Sequence, residues 1–185
     1  MIDILKIRKN FPILDNENLV YFDNASTTQK PKEVINKIIY FYENINSNVH
    51  RGNYDIAEKA TLEYENSRNE IADFLNCNSN EIVFTKGTTE SINLIANSLS
   101  DSLFKRGDEV IISEMEHHSN IIPWQLICKK TGSKLQYIPI CTDGSLDLSD
   151  IENLITDRTK IVSLIHQSNV FGTINHIENI IKIAH

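Results

Sequence analysis

Three polar segments of the sequence contain residue types that hold phosphates, stack on aromatic rings or donate hydrogen bonds. Residues 85–90 place a glycine and two threonines, Thr88 and Thr89, at the predicted start of a helix. Backbone N–H groups at a helix start, together with the helix dipole, bind anions, and the two hydroxyls add further donors. The pattern therefore predicts a phosphate site, although Thr88 acting only as an N-cap would explain the same residues.

The second segment, residues 114–120, contains His117 and His118, and the third, residues 166–169, ends in Asn169. A histidine here could stack on a planar ligand, exchange protons near neutral pH or remain a surface side chain. The adjacent pair could also bind a metal, but neither an HExxH motif nor a zinc-type spacing is present. Asn169 could donate to a phenolate-like oxygen or serve only as a turn residue.

The order of the predicted elements indicates how these segments could meet. Apolar patterns predict strands at 82–84, 109–113, 134–140 and 160–166, and helices at 31–42, 55–75, 89–99, 121–130 and 177–184, with a capping box at 149–152. Alternation of strands and helices after residue 81 favours an α/β fold with a largely parallel sheet flanked by helices. Because ligands collect at the carboxyl ends of parallel strands, we expect the three polar segments to share one crevice.

Composition excludes several classes of protein. The 185 residues include 18 Lys and Arg against 25 Asp and Glu, a formal net charge of −7. This acidic balance argues against a general nucleic-acid binder, which needs clustered cations. No apolar run approaches the length of a membrane span, and the N-terminus does not resemble a signal peptide. We therefore expect a cytoplasmic protein with no nucleic-acid, membrane or metal partner.

Three cysteines at wide spacings, without a CxxC pair, do not form a disulfide framework. Cys128 falls in the apolar stripe of a predicted helix, and Cys141 ends a predicted strand. We expect both to be buried structural thiols. Cys77 precedes a polar turn, and we expect it to be more exposed, with no neighbour that would lower its pKa.

Five segments of the chain resemble, in order and spacing, the motifs of a known enzyme family. They are Tyr21 to Pro31, Asn48 to Gly52, Lys86 to Asn93, Glu116 to Trp124 and Ser168 to Thr173. The family is the cysteine desulfurases, specifically their SUF-type (group II) branch within the class V aminotransferase-like enzymes that use pyridoxal phosphate (PLP). The resemblance implies the type I fold of PLP-dependent transferases, incomplete at the C-terminus. Residues 1–60 would form an N-terminal segment packed against the cofactor domain, and residues 61–185 the first part of that domain.

The resemblance also implies a role for individual residues around the cofactor. Thr88 and Thr89 would hold the PLP phosphate, His117 would stack on the pyridine ring, and Asn169 would hydrogen-bond the phenolic oxygen. These roles agree with the chemistry that each polar segment allows by itself.

Around the substrate, the resemblance implies that Ala25, His50 and Arg51 line the side where the carboxylate of L-cysteine needs a cation. A thiolate of the enzyme would take the sulfur, leaving a persulfide and releasing alanine. The sulfur would serve iron–sulfur cluster assembly, through a homodimer and a SUF-type acceptor protein.

Four further residues of the family reaction find no match in this chain: the imine-forming lysine, an aspartate, the nucleophilic cysteine and a carboxylate-binding arginine. The resemblance places all four beyond residue 185, so we expect no catalytic residue within this chain and no activity from it alone. A selenocysteine lyase or another class V PLP enzyme is the nearest alternative. A non-catalytic binding or dimerisation remnant, and a metal-dependent hydrolase using His117 and His118, also remain open.

Overall fold

The computed structural model describes residues 2–16 and 18–185. Within these ranges the chain forms two compact units, which divide in sequence between Val83 and Phe84. The predicted division between residues 60 and 61 falls inside one continuous helix, Asp55–Leu75. The assignment of residues 61–185 to a cofactor domain therefore stays a prediction.

The first unit is helical. Its elements are α1 (Ile4–Arg8), α2 (Lys32–Tyr40), a π-helical turn (Phe41–Ile45), α3 (Asp55–Leu75) and 3₁₀ turns at Pro12–Asp15 and Ser79–Glu81. Small side chains on α3, Ala57, Ala60 and Ala72, are buried. The C-cap residue that follows α3 is Asn76, whose left-handed φ of 54° is typical of a helix C-terminus. Among the described residues, no helix combines the length and apolar character needed to cross a membrane.

The second unit is an α/β layer structure. Its elements are α4 (Thr88–Ser100), β1 (Glu109–Ser113), a 3₁₀ turn (His118–Asn120), α5 (Ile122–Thr131), β2 (Lys134–Ile138), α6 (Ile151–Leu154), β3 (Thr159–Val162) and α7 (Ile177–Ala184). The strands form a parallel sheet in the order β2-β1-β3. This arrangement confirms the predicted α/β class.

Two apolar cores cover the two faces of β1, whose five residues are all buried. Val110 and Ile112 belong to a cluster with residues of α4 and α5, namely Ala96, Trp124, Ile127 and Cys128. Ile111 belongs to a second cluster on the opposite face with Ile138, Ile151 and Ile180. The alternation follows from the two-residue period of a strand. Burial on both faces explains why the centre of the strand, residues 110–112, is a continuous apolar run rather than an alternating pattern.

The predicted strand over residues 82–84 does not form. Residues 82–84 belong to none of the three strands found in the described part of the chain. The sequence pattern registers apolar, β-prone residues, but a strand exists only where a neighbour completes the hydrogen-bond ladder.

Two other predictions about local structure need correction. The capping box at residues 149–152 is wrong, because the Asp147 carboxylate accepts the Ser149 N–H at 3.0 Å and α6 begins only at Ile151 without a side-chain cap. The fourth predicted strand ends early, at Val162 rather than at residue 166. After one more ladder bond, from Ser163 N to the Ile111 carbonyl at 2.9 Å, the chain leaves β1.

Neighbouring residues of α5 allow a matched test of the first core. Ile127 is 3% exposed, whereas Leu126 is 58% exposed. We expect Ile127→Ala to lower the free energy of unfolding of the complete protein by about 2–4 kcal/mol, because it removes buried methyl groups and leaves a cavity. Leu126→Ala should change it by no more than about 0.5 kcal/mol. Urea denaturation of both variants measures the difference, and equal losses would contradict the described packing of α5.

Candidate functional site

The polar segment at residues 85–90 leads into the N-terminus of α4. Gly87 is the N-cap of the helix, with φ 152° and ψ 178°, so Thr88 and Thr89 are the first two helical residues. The interpretation of Thr88 as an N-cap is therefore wrong. Both threonines are exposed, and the N–H groups of the first helical turn have no partner within the helix. The start of α4 thus presents hydroxyl and N–H donors to solvent.

Hydrogen bonds from side chains stabilise the conformation of the loop that precedes α4. The Glu90 carboxylate accepts the Lys86 N–H at 2.6 Å, and the Thr85 and Ser91 hydroxyls lie 2.7 Å apart. A glycine at position 87 is required by its positive φ rather than by crowding, because an added Cβ would meet no atom within 4 Å. The space beside Gly87 is therefore open for a ligand to approach the backbone.

His117 lies in the middle of the second polar segment, four residues after β1 ends. Its Nδ1 accepts the Ser119 N–H at 3.2 Å and lies 2.9 Å from the Ser119 hydroxyl. Because Nδ1 is an acceptor for a backbone N–H, the neutral ring carries its proton on Nε2. The contacts at Nδ1 orient the ring from one edge. Because His117 is exposed, the faces of the ring remain accessible to a ligand.

The neighbouring histidine diverges from it. The rings of His117 and His118 are 6.2 Å apart and nearly perpendicular, at 85°. In residues 2–16 and 18–185, no group of three or more His, Cys, Asp or Glu side chains is placed to hold a metal ion. The hypothesis of a metal-dependent hydrolase therefore gains no support from the geometry.

Asn169 lies at the tip of a tight hairpin that follows β3. Gln167 and Ile174 form an antiparallel bridge, and Ser168 N donates to the Thr173 carbonyl at 2.9 Å. The buried Ser168 hydroxyl accepts the N–H groups of Val170 and Phe171, at 3.3 and 3.1 Å. The hairpin therefore holds Asn169 exposed on a defined backbone.

The sheet brings two of the three polar segments together. The segments with His117 and Asn169 follow β1 and β3, which are adjacent and parallel, so both begin at the same edge of the sheet. The start of α4 is not preceded by a strand, but α4 packs against the 3₁₀ turn His118–Asn120 and against α5. Convergence of all four predicted cofactor residues on one ligand stays a prediction.

The predicted substrate residues Ala25, His50 and Arg51 lie in the first unit, and all three are exposed. His50 has a left-handed φ of 66°, and its Nε2 lies 2.7 Å from a carboxylate oxygen of Glu65. Its ring also packs edge-on against Tyr64, with centroids 5.5 Å apart. His50 is therefore held by side chains of α3, whereas its neighbour Arg51 forms no ion pair among the described residues.

Sequence reasoning missed two buried polar residues beneath His117. Glu116 and Asn120 are 8% and 7% exposed, and the Asn120 Nδ2 donates to the Glu116 Oε2 at 2.8 Å. Glu116, Asn120 and Trp124 follow one another at intervals of four residues, and this spacing is the local sequence signal that they share a face. Their bonds to the segment after β3 could not be inferred from spacing.

Comparison with known proteins identifies the family of this chain. The sequence profile described as "Aminotransferase class-V" matches residues 20–185. The chain belongs to the class V aminotransferase family. Members of this family are enzymes that use PLP, and the α/β fold expected of PLP-dependent transferases is confirmed.

Relatives of this class V aminotransferase chain are named as cysteine desulfurases. Two curated proteins named "Probable cysteine desulfurase", from Streptomyces coelicolor and Halalkalibacterium halodurans, are 46% and 48% identical over 100% and 97% of the chain. The chain spans about half the length of these relatives, 46% in both cases. The apo structure of a cysteine desulfurase from Thermococcus onnurineus NA1 is 41% identical and superposes with a TM-score of 0.92, covering 100% of this chain and 45% of that structure.

One of the three cysteines of this class V chain, Cys141, departs from the prediction. Cys128 is 7% exposed, and burial raises the pKa of its thiol, as expected for a structural residue. Cys141, expected to be buried, is exposed. β2 ends at Ile138, and Cys141 begins a turn in which its N–H donates to the Ser145 carbonyl at 2.8 Å. Cys77 is partly exposed.

This distribution predicts an order of thiol modification. With iodoacetamide at neutral pH, we expect Cys141 to react first, Cys77 more slowly and Cys128 only on unfolding, because a buried thiol with a raised pKa is rarely ionised or reached. Peptide mass spectrometry of a time course on the folded complete protein measures the order. Cys141→Ser should remove the fastest phase among these three cysteines, and labelling of Cys128 before Cys141 would contradict the described burial.

Proposed function

We propose that this chain is the cofactor-binding part of a PLP-dependent cysteine desulfurase. The observation that carries the proposal is the set of exposed donors in one α/β unit: the N-terminus of α4 with Thr88 and Thr89, the edge-anchored ring of His117 and the hairpin amide of Asn169. The names and 46–48% identities of the curated relatives support the same activity.

The residues present fit PLP chemically. Its phosphate suits a helix N-terminus with two hydroxyls, and the open space beside Gly87 lets an anion approach the N–H groups of α4. Its flat pyridine ring suits the face of an imidazole, and its phenolic oxygen suits the amide donor of Asn169. When bound, PLP supplies an electron-withdrawing ring that stabilises negative charge on the Cα of an attached amino acid.

The chain's own residues would position rather than transform the substrate. His117 contributes a ring whose Nδ1 is engaged by Ser119 and whose Nε2 remains available. Asn169 donates a hydrogen bond from a rigid hairpin. Arg51 would supply a cation for the substrate carboxylate, and Ala25 and His50, whose side chain is engaged by Glu65, would also line the substrate.

We further propose L-cysteine as substrate, and lysine and cysteine side chains outside these 185 residues as the catalytic groups. Sulfur leaves the substrate when its C–S bond breaks and an S–S bond forms to the enzyme thiolate, so that alanine is released and a persulfide remains. Reduction of the persulfide by a dithiol, which is oxidised to a disulfide, releases sulfide. Iron–sulfur cluster assembly, a homodimer, a SUF-type acceptor and a cytoplasmic location complete the proposal.

Product analysis tests the activity directly. We expect the complete protein, loaded with PLP and supplied with L-cysteine and dithiothreitol, to release alanine and sulfide in equal amounts. Residues 1–185 alone should release neither, because no local lysine or cysteine matches the family's catalytic motifs. Alanine from selenocysteine but not from cysteine would favour a selenocysteine lyase. A PLP-loaded complete protein that acts on neither substrate would refute the proposal.

Phosphate binding by the α4 N-terminus can be tested separately from turnover. Thr88→Val and Thr89→Val keep the side-chain shape but remove a hydroxyl, and we expect each to raise the Kd for PLP about tenfold, the typical effect of losing a hydrogen bond to a charged group. Equilibrium dialysis of the apo form of the complete protein measures the Kd. Ser98→Ala, an exposed hydroxyl on the same helix, is the matched control. Unchanged affinity in both valine variants would place the phosphate elsewhere.

A further inference from the structure

A buried carboxylate joins three separate parts of the second unit. The Glu116 Oε1 accepts the hydroxyl of Ser113, the last residue of β1, at 2.5 Å. The same oxygen accepts the N–H of Ile165, beyond the end of β3, at 2.8 Å. The Oε2 accepts the Asn120 Nδ2 at 2.8 Å. Glu116 is 8% exposed, so these three donors replace most of the water that its charge would otherwise bind.

Asn120 extends this link to the same segment after β3. Its Nδ2 also donates to the Ser163 carbonyl at 3.1 Å, and its Oδ1 accepts the Ser163 hydroxyl at 2.7 Å. The same Oδ1 accepts the Trp124 Nε1 at 2.9 Å. Among the described residues, no buried side-chain nitrogen or oxygen lacks a hydrogen-bond partner. A fully satisfied network of this kind holds one geometry, because any shift leaves a buried polar group unpaired.

The network continues from Ile165 to the hairpin of Asn169. The Ile165 carbonyl accepts the Asn175 Nδ2 at 2.7 Å, and Asn175 N donates to the His166 carbonyl at 2.8 Å. Asn175 is buried, at 6% exposure. The two sides of the hairpin are therefore joined at its base, and the position of Ile165 determines where the tip with Asn169 lies.

We propose that Glu116 is a positioning residue that sets the distance between the loop of His117 and the hairpin of Asn169. This inference rests on the proposed function, in which those two side chains contact one PLP ring. Glu116 precedes His117 directly in the chain and holds Ile165, four residues before Asn169. Among the described residues, no other carboxylate hydrogen-bonds both to the turn that follows His117 and to the segment that leads to Asn169.

A carboxylate suits this position better than an amide of the same shape. An ionised carboxyl group offers only acceptors, and here all three partners are donors. In Glu116→Gln the new NH₂ group must face a donor, either Asn120 Nδ2 or the pair of Ser113 and Ile165. The substitution therefore changes hydrogen bonding with almost no change in volume.

The test uses the complete protein and reads the bound cofactor rather than turnover. We expect Glu116→Gln to raise the Kd for PLP about tenfold and to shift the absorption maximum of the bound cofactor. The reason is that the separation between the His117 and Asn169 side chains changes, so that both no longer fit the same ring. Glu152→Gln, an exposed glutamate outside the network, should change neither. Ile127→Ala serves as the stability control: it should lower Tm and leave the absorption maximum unchanged.

A double variant tests the link to Asn120. Asn120→Asp alone sets two carboxylates against each other and should bind PLP more weakly than Glu116→Gln. In the double variant E116Q/N120D, the glutamine NH₂ can donate to the aspartate, so the combined loss should be smaller than the product of the two single losses. Independent effects of the two substitutions would overturn the coupling.

The outcomes separate the two proposals. A wild-type complete protein that binds no PLP refutes the proposed function. A wild-type protein that binds PLP, with Glu116→Gln unchanged in both Kd and absorption maximum, refutes the positioning role alone. If Glu116→Gln does not fold, Ser113→Ala replaces it, because it removes one donor to Glu116 without adding another. Ser113→Ala should shift both readouts in the same direction by a smaller amount, and no shift would overturn the inference.

Discussion

The parallel pairing of β1 on both of its edges is the constraint on which the second unit depends. Its five residues are buried, with Val110 and Ile112 in one core and Ile111 in the other. Because β2 and β3 run parallel to β1, each connection must cross over the sheet, and every strand ends at the same edge. The segments that carry His117 and Asn169 begin at that edge, so strand pairing by itself places their starting points close together.

The polar contacts then determine the positions of these segments more closely than strand pairing does. The four predicted cofactor residues are exposed, whereas Glu116, Asn120 and Ser168 beneath two of them are buried and hydrogen-bonded. A binding site requires both kinds of residue, because exposed side chains keep their geometry only when buried contacts hold the backbone beneath them. Apolar packing alone would tolerate small slips that a directional hydrogen bond to a buried carboxylate does not.

The first unit shows a similar contrast between neighbours. His50 is held in a left-handed backbone conformation, with its ring against Tyr64 and its Nε2 at Glu65, while its N–H donates to the Thr61 hydroxyl at 2.9 Å. Arg51 follows immediately and is exposed. A histidine held by its neighbours thus directly precedes an exposed guanidinium, and the role of Arg51 toward a carboxylate ligand stays a proposal.

The sequence alone determined the elements with strong local patterns. The predicted bounds of α3, β1 and α7 agree with the structure, since their apolar periods depend on residues a few positions apart. The polar segments were also recognisable, because their residue types limit their chemistry, and the five ordered motifs pointed to the family. Where a pattern needed a distant partner, it failed: residues 82–84 form no strand, and Cys141 is exposed.

Only the tertiary structure decided how the polar segments are held. Glu116 and Ile165 are 49 positions apart in the chain, and Asn120 and Ser163 are 43 apart. No local period connects such pairs, because their proximity depends on the pairing of β1 with β3. Side-chain hydrogen bonds over these separations depend on the completed sheet, whereas helix periods and glycine conformations are set by the covalent neighbourhood of each residue.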